Sequence, residues 1–111
     1  MHTTLYTSPL TIETANTANY AIYLNILNAS SSTRNGTLEI LQGDGTVMSN
    51  VSYSPLPAGN LTGTAVQAFQ NNAQVTLVYG RVTVDDVAGS IRANLLLVDA
   101  KGNTLASVEA R

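Results

Sequence analysis

The stretch that decides the fold is Ile91–Arg111, IRANLLLVDAKGNTLASVEAR, in which an apolar run stops at an acidic corner before a second β-like run. In Ser90–Val98 apolar side chains fall on both faces near the end of the run, and Thr104–Ala110 follows the corner. The corner Asp99–Asn103 suits a type I turn with Gly102 in the left-handed conformation, a common connection between antiparallel strands. This stretch therefore predicts a closing β-hairpin whose corner is explained by chain geometry alone.

The same period-two alternation recurs along the chain, and convincing helical periodicity does not. We expect about eight strands: Thr3–Thr14 (interrupted by Pro9), Tyr20–Asn28, Thr37–Leu41, Thr46–Ser54, Thr62–Gln70, Gln74–Val84, Ser90–Val98 and Thr104–Ala110. Pro9 lacks a backbone N–H and so places the first strand at a sheet edge. Thr62–Gln70 also suits a helical turn. This spacing predicts an all-β fold, a two-sheet antiparallel β-sandwich of jelly-roll or immunoglobulin-like topology.

Alternation and turn chemistry also predict local details. We expect Leu38 and Ile40 to face inward. Alternation places Tyr20, Ile22, Leu24 and Ile26 on one face of their strand, opposite Ala21, Tyr23, Asn25 and Leu27, and it places Val47, Val51 and Tyr53 on one face of theirs. Asn35-Gly36 and the Gln42–Gly45 segment read as turns, and Ser54–Asn60 reads as a Pro/Gly-rich crossover between sheets. Gly80 within a strand predicts a bulge or a close backbone approach.

The composition argues against several classes of partner. Charged residues make up 11% of the 111-residue chain, against roughly 25% in ordinary domains. The five basic residues are scattered, whereas nucleic-acid binding needs a basic stripe. We therefore expect no nucleic-acid partner, and no apolar run approaches the roughly 20 residues that insertion into a membrane requires. No signal peptide is visible in MHTTLYTSPL; a cell, spore or virion surface is the favoured location.

Catalytic, metal and cofactor chemistry finds little support. The chain has no cysteine and one histidine, His2, beside the first residue. Asp85 and Asp86 are the only adjacent carboxylates, and neighbouring strand residues point to opposite faces. A calcium site at this pair is the alternative to a plain turn. We expect no enzymatic activity, no metal and no cofactor.

The sequence favours self-association. Monomeric proteins commonly guard sheet edges with lysine, charge or proline, and this chain has one lysine, Lys101, which lies in a turn. We expect residues 1–14 to form an N-terminal strand or arm and residues 15–111 to form the sandwich. The arm could stay on its own domain or add to a neighbour, with Leu5, Tyr6, Leu10 and Ile12 as the contact residues of a homo-oligomer.

In composition and in its pattern of short strand-like segments, the chain resembles small Thr/Asn-rich β-sandwich proteins of spore-forming bacteria, including spore-appendage subunits. The resemblance is carried by TLYTSPLTIETANTANYAIYLNILNAS and by the short C-terminal hairpins. It implies jelly-roll domains that join through N-terminal arms into a surface or fibre assembly. Such subunits often cross-link their arms through cysteines, which this chain lacks; the resemblance then implies non-covalent contacts.

A second function stays open at this point, namely a β-sandwich binding module, monomeric or oligomeric, for a glycan or another small ligand. Tyr20 and Tyr23 lie three residues apart and so face opposite sides of one strand. One ring then packs in the core and the other is a surface platform. Tyr23, together with loop asparagines, is the expected ligand surface.

Overall fold

The computed structural model describes residues 2–12, 19–70 and 76–110. Within these residues the chain forms nine strands and one short 3₁₀ helix, Ala88–Ser90, with no α-helix. The strands are β1 (Thr3–Tyr6), β2 (Leu10–Ile12), β3 (Asn19–Asn28), β4 (Arg34–Gln42), β5 (Val47–Leu56), β6 (Leu61–Gln70), β7 (Thr76–Val84), β8 (Ile91–Val98) and β9 (Thr104–Glu109). The predicted all-β class is confirmed, and the segment Thr62–Gln70 is a strand.

The strands form two antiparallel sheets that face each other as a sandwich. Sheet 1 has the order β1-β7-β4-β5, with β2 also paired to β7, and sheet 2 has the order β6-β3-β8-β9. The count exceeds the prediction by one because β1 and β2 are separate strands on either side of Pro9. Both lie at the edge of sheet 1, as Pro9 predicts.

The core lies between the two sheets and is built mainly from the inner faces of their central strands. Its fully buried apolar side chains include Ile12, Ile22, Leu24, Ile26, Leu38, Ile40, Leu95, Val78, Val82 and Val84. The predicted inward positions Leu38 and Ile40 are thus confirmed, the predicted shared face of Tyr20, Ile22, Leu24 and Ile26 is the buried face of β3, and Tyr53 is also buried. Val47 and Val51, however, are 47% and 42% exposed. They lie on β5, the edge strand of sheet 1, whose pairing with β4 shifts register twice.

Two hairpin turns follow the predicted chemistry. Gly45 and Gly102 have φ of +90° and +87°, in the left-handed region that glycine tolerates. Asp44 Oδ1 accepts a bond from the Thr46 N–H, and Asp99 Oδ1 accepts from Lys101 and Asn103. These backbone donors lower the pKa of both carboxyl groups below the ordinary value. The predicted change of sheet between β5 and β6 is also confirmed, but the crossover is shorter than predicted because residues 54–56 belong to β5.

The predicted turn at Asn35-Gly36 is wrong, because both residues lie within β4. A Cβ atom on Gly36 would collide with the Thr83 carbonyl oxygen and lie 2.6 Å from Tyr53 Oη. Gly80 likewise marks a close approach, since a Cβ there would lie 2.8 Å from Leu24 Cδ1. In both strands glycine makes room for a neighbour.

Candidate self-association edge and ligand cleft

The described part of the N-terminal arm, residues 2–12, packs on its own domain. β1 and β2 pair with β7, and Leu5, Leu10 and Ile12 are buried in the core. Tyr6 is 50% exposed, with its ring centroid 6.5 Å from that of Tyr79. All four predicted assembly residues therefore make contacts within the single chain, three in its core and Tyr6 with Tyr79 on its surface. The predicted arm boundary at residue 14 lies outside the described residues.

Thr7 closes the rim of the sandwich on the arm side. Its N–H donates to the Gly80 carbonyl at 2.9 Å, and its hydroxyl accepts from the Gly80 N–H at 2.8 Å. Thr7 also forms an isolated antiparallel bridge with Ala110, directly after β9. The arm thereby joins the edge of sheet 1 to the edge of sheet 2.

The opposite rim, between β5 and β6, has no such closure among the described strands. The hydroxyl groups of Ser49 on β5 and Thr64 on β6 lie 2.7 Å apart and hydrogen-bond across it. Leu61 at the start of β6 is 73% exposed. No strand in the described part of the chain pairs with the outer edge of β5 or of β6.

The rim strands differ in how well their edges are protected. β1 and β2 have four and three residues and flank a proline. β9 has six residues, includes Glu109 and adjoins the Thr7–Ala110 bridge. β5 carries Pro55 and two register shifts. β6 is ten residues long, has one register shift near its end, and holds neither a charged residue nor a proline, so it is the least protected edge.

The direction of the hydrogen bonds identifies the free groups on β6. Asn28 N–H donates to Asn60, on the β6 side, and Ala29 N–H donates to Ser90, on the β8 side. The backbone N–H and C=O groups of successive residues in an antiparallel strand point to opposite neighbours. The even-numbered residues of β3 therefore hydrogen-bond to β6, and the odd-numbered ones to β8. The β6 partners of the even-numbered residues include Thr62 and Thr64. The N–H and C=O groups of the residues between and beside them, Leu61, Gly63 and Ala65, then point away from the sheet.

The outer face of sheet 2 is largely apolar. The residues that alternate with the buried positions of β3, and their cross-strand partners, form this face. Most are apolar, namely Ala21, Tyr23, Leu27, Leu61, Ala65, Leu96 and Val98, whereas Asn25, Asn94 and Arg92 are polar. Tyr23, the predicted ligand residue, is half-buried between Ala65 and Leu96. An antiparallel sheet that faces only water usually carries polar residues outside.

Sheet 1 has a more polar outer face. Arg81 donates two hydrogen bonds of 2.9 Å to the Glu39 carboxylate on the neighbouring strand. These bonds raise the pKa of the Arg81 guanidinium further above its ordinary value. Because both charges are paired on the same surface, this face offers less to a partner than the outer face of sheet 2.

A cleft of about 650 Å³ opens at one end of sheet 2. Asn25 and Asn94 are cross-strand partners on its floor, and Glu109 pairs with Asn94 on the next strand. Leu27 and Leu61 supply apolar surface beside this polar row. Amide and carboxylate groups next to apolar surface can hydrogen-bond a small hydroxylated ligand.

Arg34 contacts both carboxylates of the Asp85-Asp86 pair. Its Nη2 atom lies 2.9 Å from Asp86 Oδ2, and its Nη1 atom lies 3.9 Å from Asp85 Oδ1. Asn35 also donates to Asp85 Oδ2 at 3.3 Å. The described residues contain no group of three His, Cys, Asp or Glu side chains able to hold a metal ion. Arg34 therefore forms ion pairs with both carboxylates of this turn, and a calcium site at the pair stays a prediction.

No helix in the described part of the chain is long and apolar enough to cross a membrane. No family model, curated protein or solved structure matches the chain. The edges, the outer faces and the cleft are therefore the features that bear on function.

Sequence reasoning did not identify two of these features. β6 is the strand whose pattern also suits a helical turn, and its exposed edge follows from sheet order, which the strand pattern does not reveal. The Asn25–Asn94 row depends on cross-strand register. Its one local signal is Gly63, where a Cβ atom would lie 2.8 Å from Asn25 Oδ1.

Proposed function

We propose that this protein is a non-enzymatic structural subunit that self-associates through β-strand edges into a surface or fibre assembly. The observation that supports this most is β6, a ten-residue rim strand without charge or proline. Unpaired backbone groups on such a strand are a template for another strand. A second chain that pairs with them satisfies donors and acceptors along the rim.

The surface chemistry also favours self-association. A formal charge of −2 over 111 residues generates little repulsion between copies. Apolar side chains on the outer face of sheet 2 continue up to the β6 edge at Leu61 and Ala65. Edge pairing would extend that face from one copy to the next.

The arm has a different place in this proposal. Leu5, Leu10 and Ile12 fill the core of their own domain. Exchange of the arm between copies would reproduce the same contacts in trans, as in domain swapping. Assembly through these three residues and Tyr6 stays a prediction. Edge pairing at β6 would not disturb the pairing of the arm with β7 in its own domain.

The test is the mass of the wild-type chain at two concentrations at least a hundredfold apart, by native mass spectrometry and sedimentation velocity. We expect oligomers whose share grows with concentration, and ordered particles or fibres by electron microscopy. A single monomeric species at both concentrations would exclude the structural role.

A binding module for a neutral glycan is the second candidate, and the cleft beside Asn25 and Asn94 favours it. Neutral sugars offer hydroxyl groups to amides and apolar ring faces to leucine or tyrosine. A glycan array and titration calorimetry test this on the wild-type chain and on Asn94→Leu, which alters the cleft lining. Tyr23→Ala tests the predicted ligand residue, which lies on the same outer face but outside the cleft lining, and Gln67→Ala is the control. Binding by a monomer that both site variants lose and the control retains would favour this candidate.

A further inference from the structure

We propose that the self-association edge is β6 and that its occupant is β6 of a second copy, antiparallel about a two-fold axis at Gly63. This inference rests on the proposed function and specifies its contact. The other rim strands carry the protection described above. A long unprotected edge on each copy is matched best by the same edge on another.

A two-fold axis fits because both partners offer the same surface, as in most homodimers. The free groups belong to Leu61, Gly63 and Ala65, whose side-chain positions all lie on the outer face of sheet 2. An antiparallel hydrogen-bonded pair places both side chains on one face of the sheet. Pairing β6 with its copy therefore joins two four-stranded sheets into one continuous sheet with a continuous outer face.

The register follows from the regular part of β6. Its pairing with β3 is regular from Leu61 to Val66 and shifts between Tyr20 and Ile22, opposite Gln67 and Ala68. Centring the axis on Gly63 uses only the regular part. Leu61 then lies opposite Ala65 of the second copy, and three hydrogen-bonded pairs give about six hydrogen bonds.

Side chains near the axis suit this register. Leu61, 73% exposed in the single chain, would pack on Ala65 of the second copy and approach its neighbour Tyr23. Two glycines meet at the axis, so no outer side chain of β6 obstructs the approach there. On the inner face, Thr62 would lie opposite Thr64 of the second copy, a favourable cross-strand pair.

The absence of cysteine allows a direct test of the register. Thr62→Cys and Thr64→Cys are prepared as separate proteins, mixed and exposed to mild oxidant. Non-hydrogen-bonded antiparallel pairs have Cα atoms about 4.5 Å apart, within the range that a disulfide spans. We expect at least tenfold more cross-linked dimer in the mixture than in either protein alone.

The control mixes Thr62→Cys with Ser107→Cys on the β9 edge, which should give no excess of dimer. Circular dichroism and urea unfolding confirm that each variant is folded. If Thr64→Cys alone cross-links as well as the mixture does, the axis does not lie at Gly63.

The oligomeric state of the wild-type chain distinguishes failure of the proposed β6 pairing from failure of the proposed structural role. Wild-type oligomers without cross-linking in the Thr62→Cys and Thr64→Cys mixture would overturn pairing through β6 and leave the structural role standing. A wild-type chain that stays monomeric at every concentration would overturn both.

Discussion

The hydroxyl groups of Ser49 and Thr64 lie 2.7 Å apart and link the two sheets at the rim that the arm does not close. The opposite rim is joined by backbone pairing between Thr7 and Ala110. The two sides of the sandwich are therefore built differently. A polar contact holds the β5–β6 side together, and β6 keeps its outer backbone groups free.

Ser49→Ala removes one partner of this contact and leaves the half-buried Thr64 hydroxyl without the other. We expect a loss of about 1 kcal/mol in the free energy of unfolding, the usual size for a single hydrogen bond. Ser52→Ala, an exposed position on the same strand, is the matched control and should change stability by less than half as much. Urea unfolding monitored by circular dichroism measures both; equal losses would remove the hydroxyl pair as the cause.

Gly36→Ala should be among the most destabilising single-methyl changes in the chain. The added Cβ atom would collide with the Thr83 carbonyl and lie 2.6 Å from Tyr53 Oη, and overpacking of this kind costs about 1–3 kcal/mol or more. Gly89→Ala is the control, because nothing lies within 4 Å of its Cβ position. Thermal and urea unfolding should separate the two variants clearly, and similar stabilities would contradict the close approach of β4 to β7 and Tyr53.

Tyr53 should make stability depend on pH in the alkaline range. Its buried hydroxyl donates to the Thr83 carbonyl at 2.6 Å. Burial raises its pKa from 10.0 to about 12, and the negative charge of Asp85 adds to the shift. The folded state holds this proton more tightly than the unfolded chain, so its stabilisation is complete below pH 10 and is lost between about pH 10 and 12.

Tyr53→Phe tests this assignment, with urea unfolding at a series of pH values. At neutral pH we expect the variant to be less stable by about 1–2 kcal/mol, since the Thr83 carbonyl loses its donor. Between pH 10 and 12 the stability of the wild type should fall toward that of the variant. Parallel curves over that range would show that another group is responsible.

A disulfide between positions 7 and 110 should lock the arm on its own domain without preventing assembly. The N–H groups of Thr7 and Ala110 donate to Gly80 and Ala93, so the bridge between the two residues is a non-hydrogen-bonded pair. Such pairs suit a disulfide. We expect Thr7→Cys/Ala110→Cys to form an intrachain bond that stabilises the fold relative to its reduced form. Sedimentation should show the same oligomers in both forms; loss of oligomers on oxidation would assign assembly to arm exchange.

The sequence allowed prediction of the fold class because strand alternation and turn chemistry are local. Ile22, Leu24 and Ile26 alternate with residues of the outer face, and Gly102 occupies the left-handed position of its turn as predicted. The turn prediction at Asn35-Gly36 was wrong because an Asn-Gly pair occurs both in turns and where two strands approach closely. Only the positions of Thr83 and Tyr53, both distant in sequence, distinguish the two.

The site was less predictable because it depends on which strands become neighbours. Val47 and Val51 follow the core pattern, but they lie on a rim strand where the opposite sheet covers them only partly. The exposure of Leu61 and the free groups of Gly63 follow from the place of β6 at the end of sheet 2. Nothing local in its sequence indicates that place.

The most direct measurement is the dissociation constant of self-association for Ala65→Pro beside Ala65→Thr. The Ala65 N–H points away from β3, so proline removes a donor that only a second copy would use, and proline is tolerated at such edge positions. Threonine keeps the donor and favours strand structure. Sedimentation equilibrium should show at least about tenfold weaker association for the proline variant, since a two-fold pairing loses two hydrogen bonds at once. Equal association of the two folded variants would contradict pairing through β6.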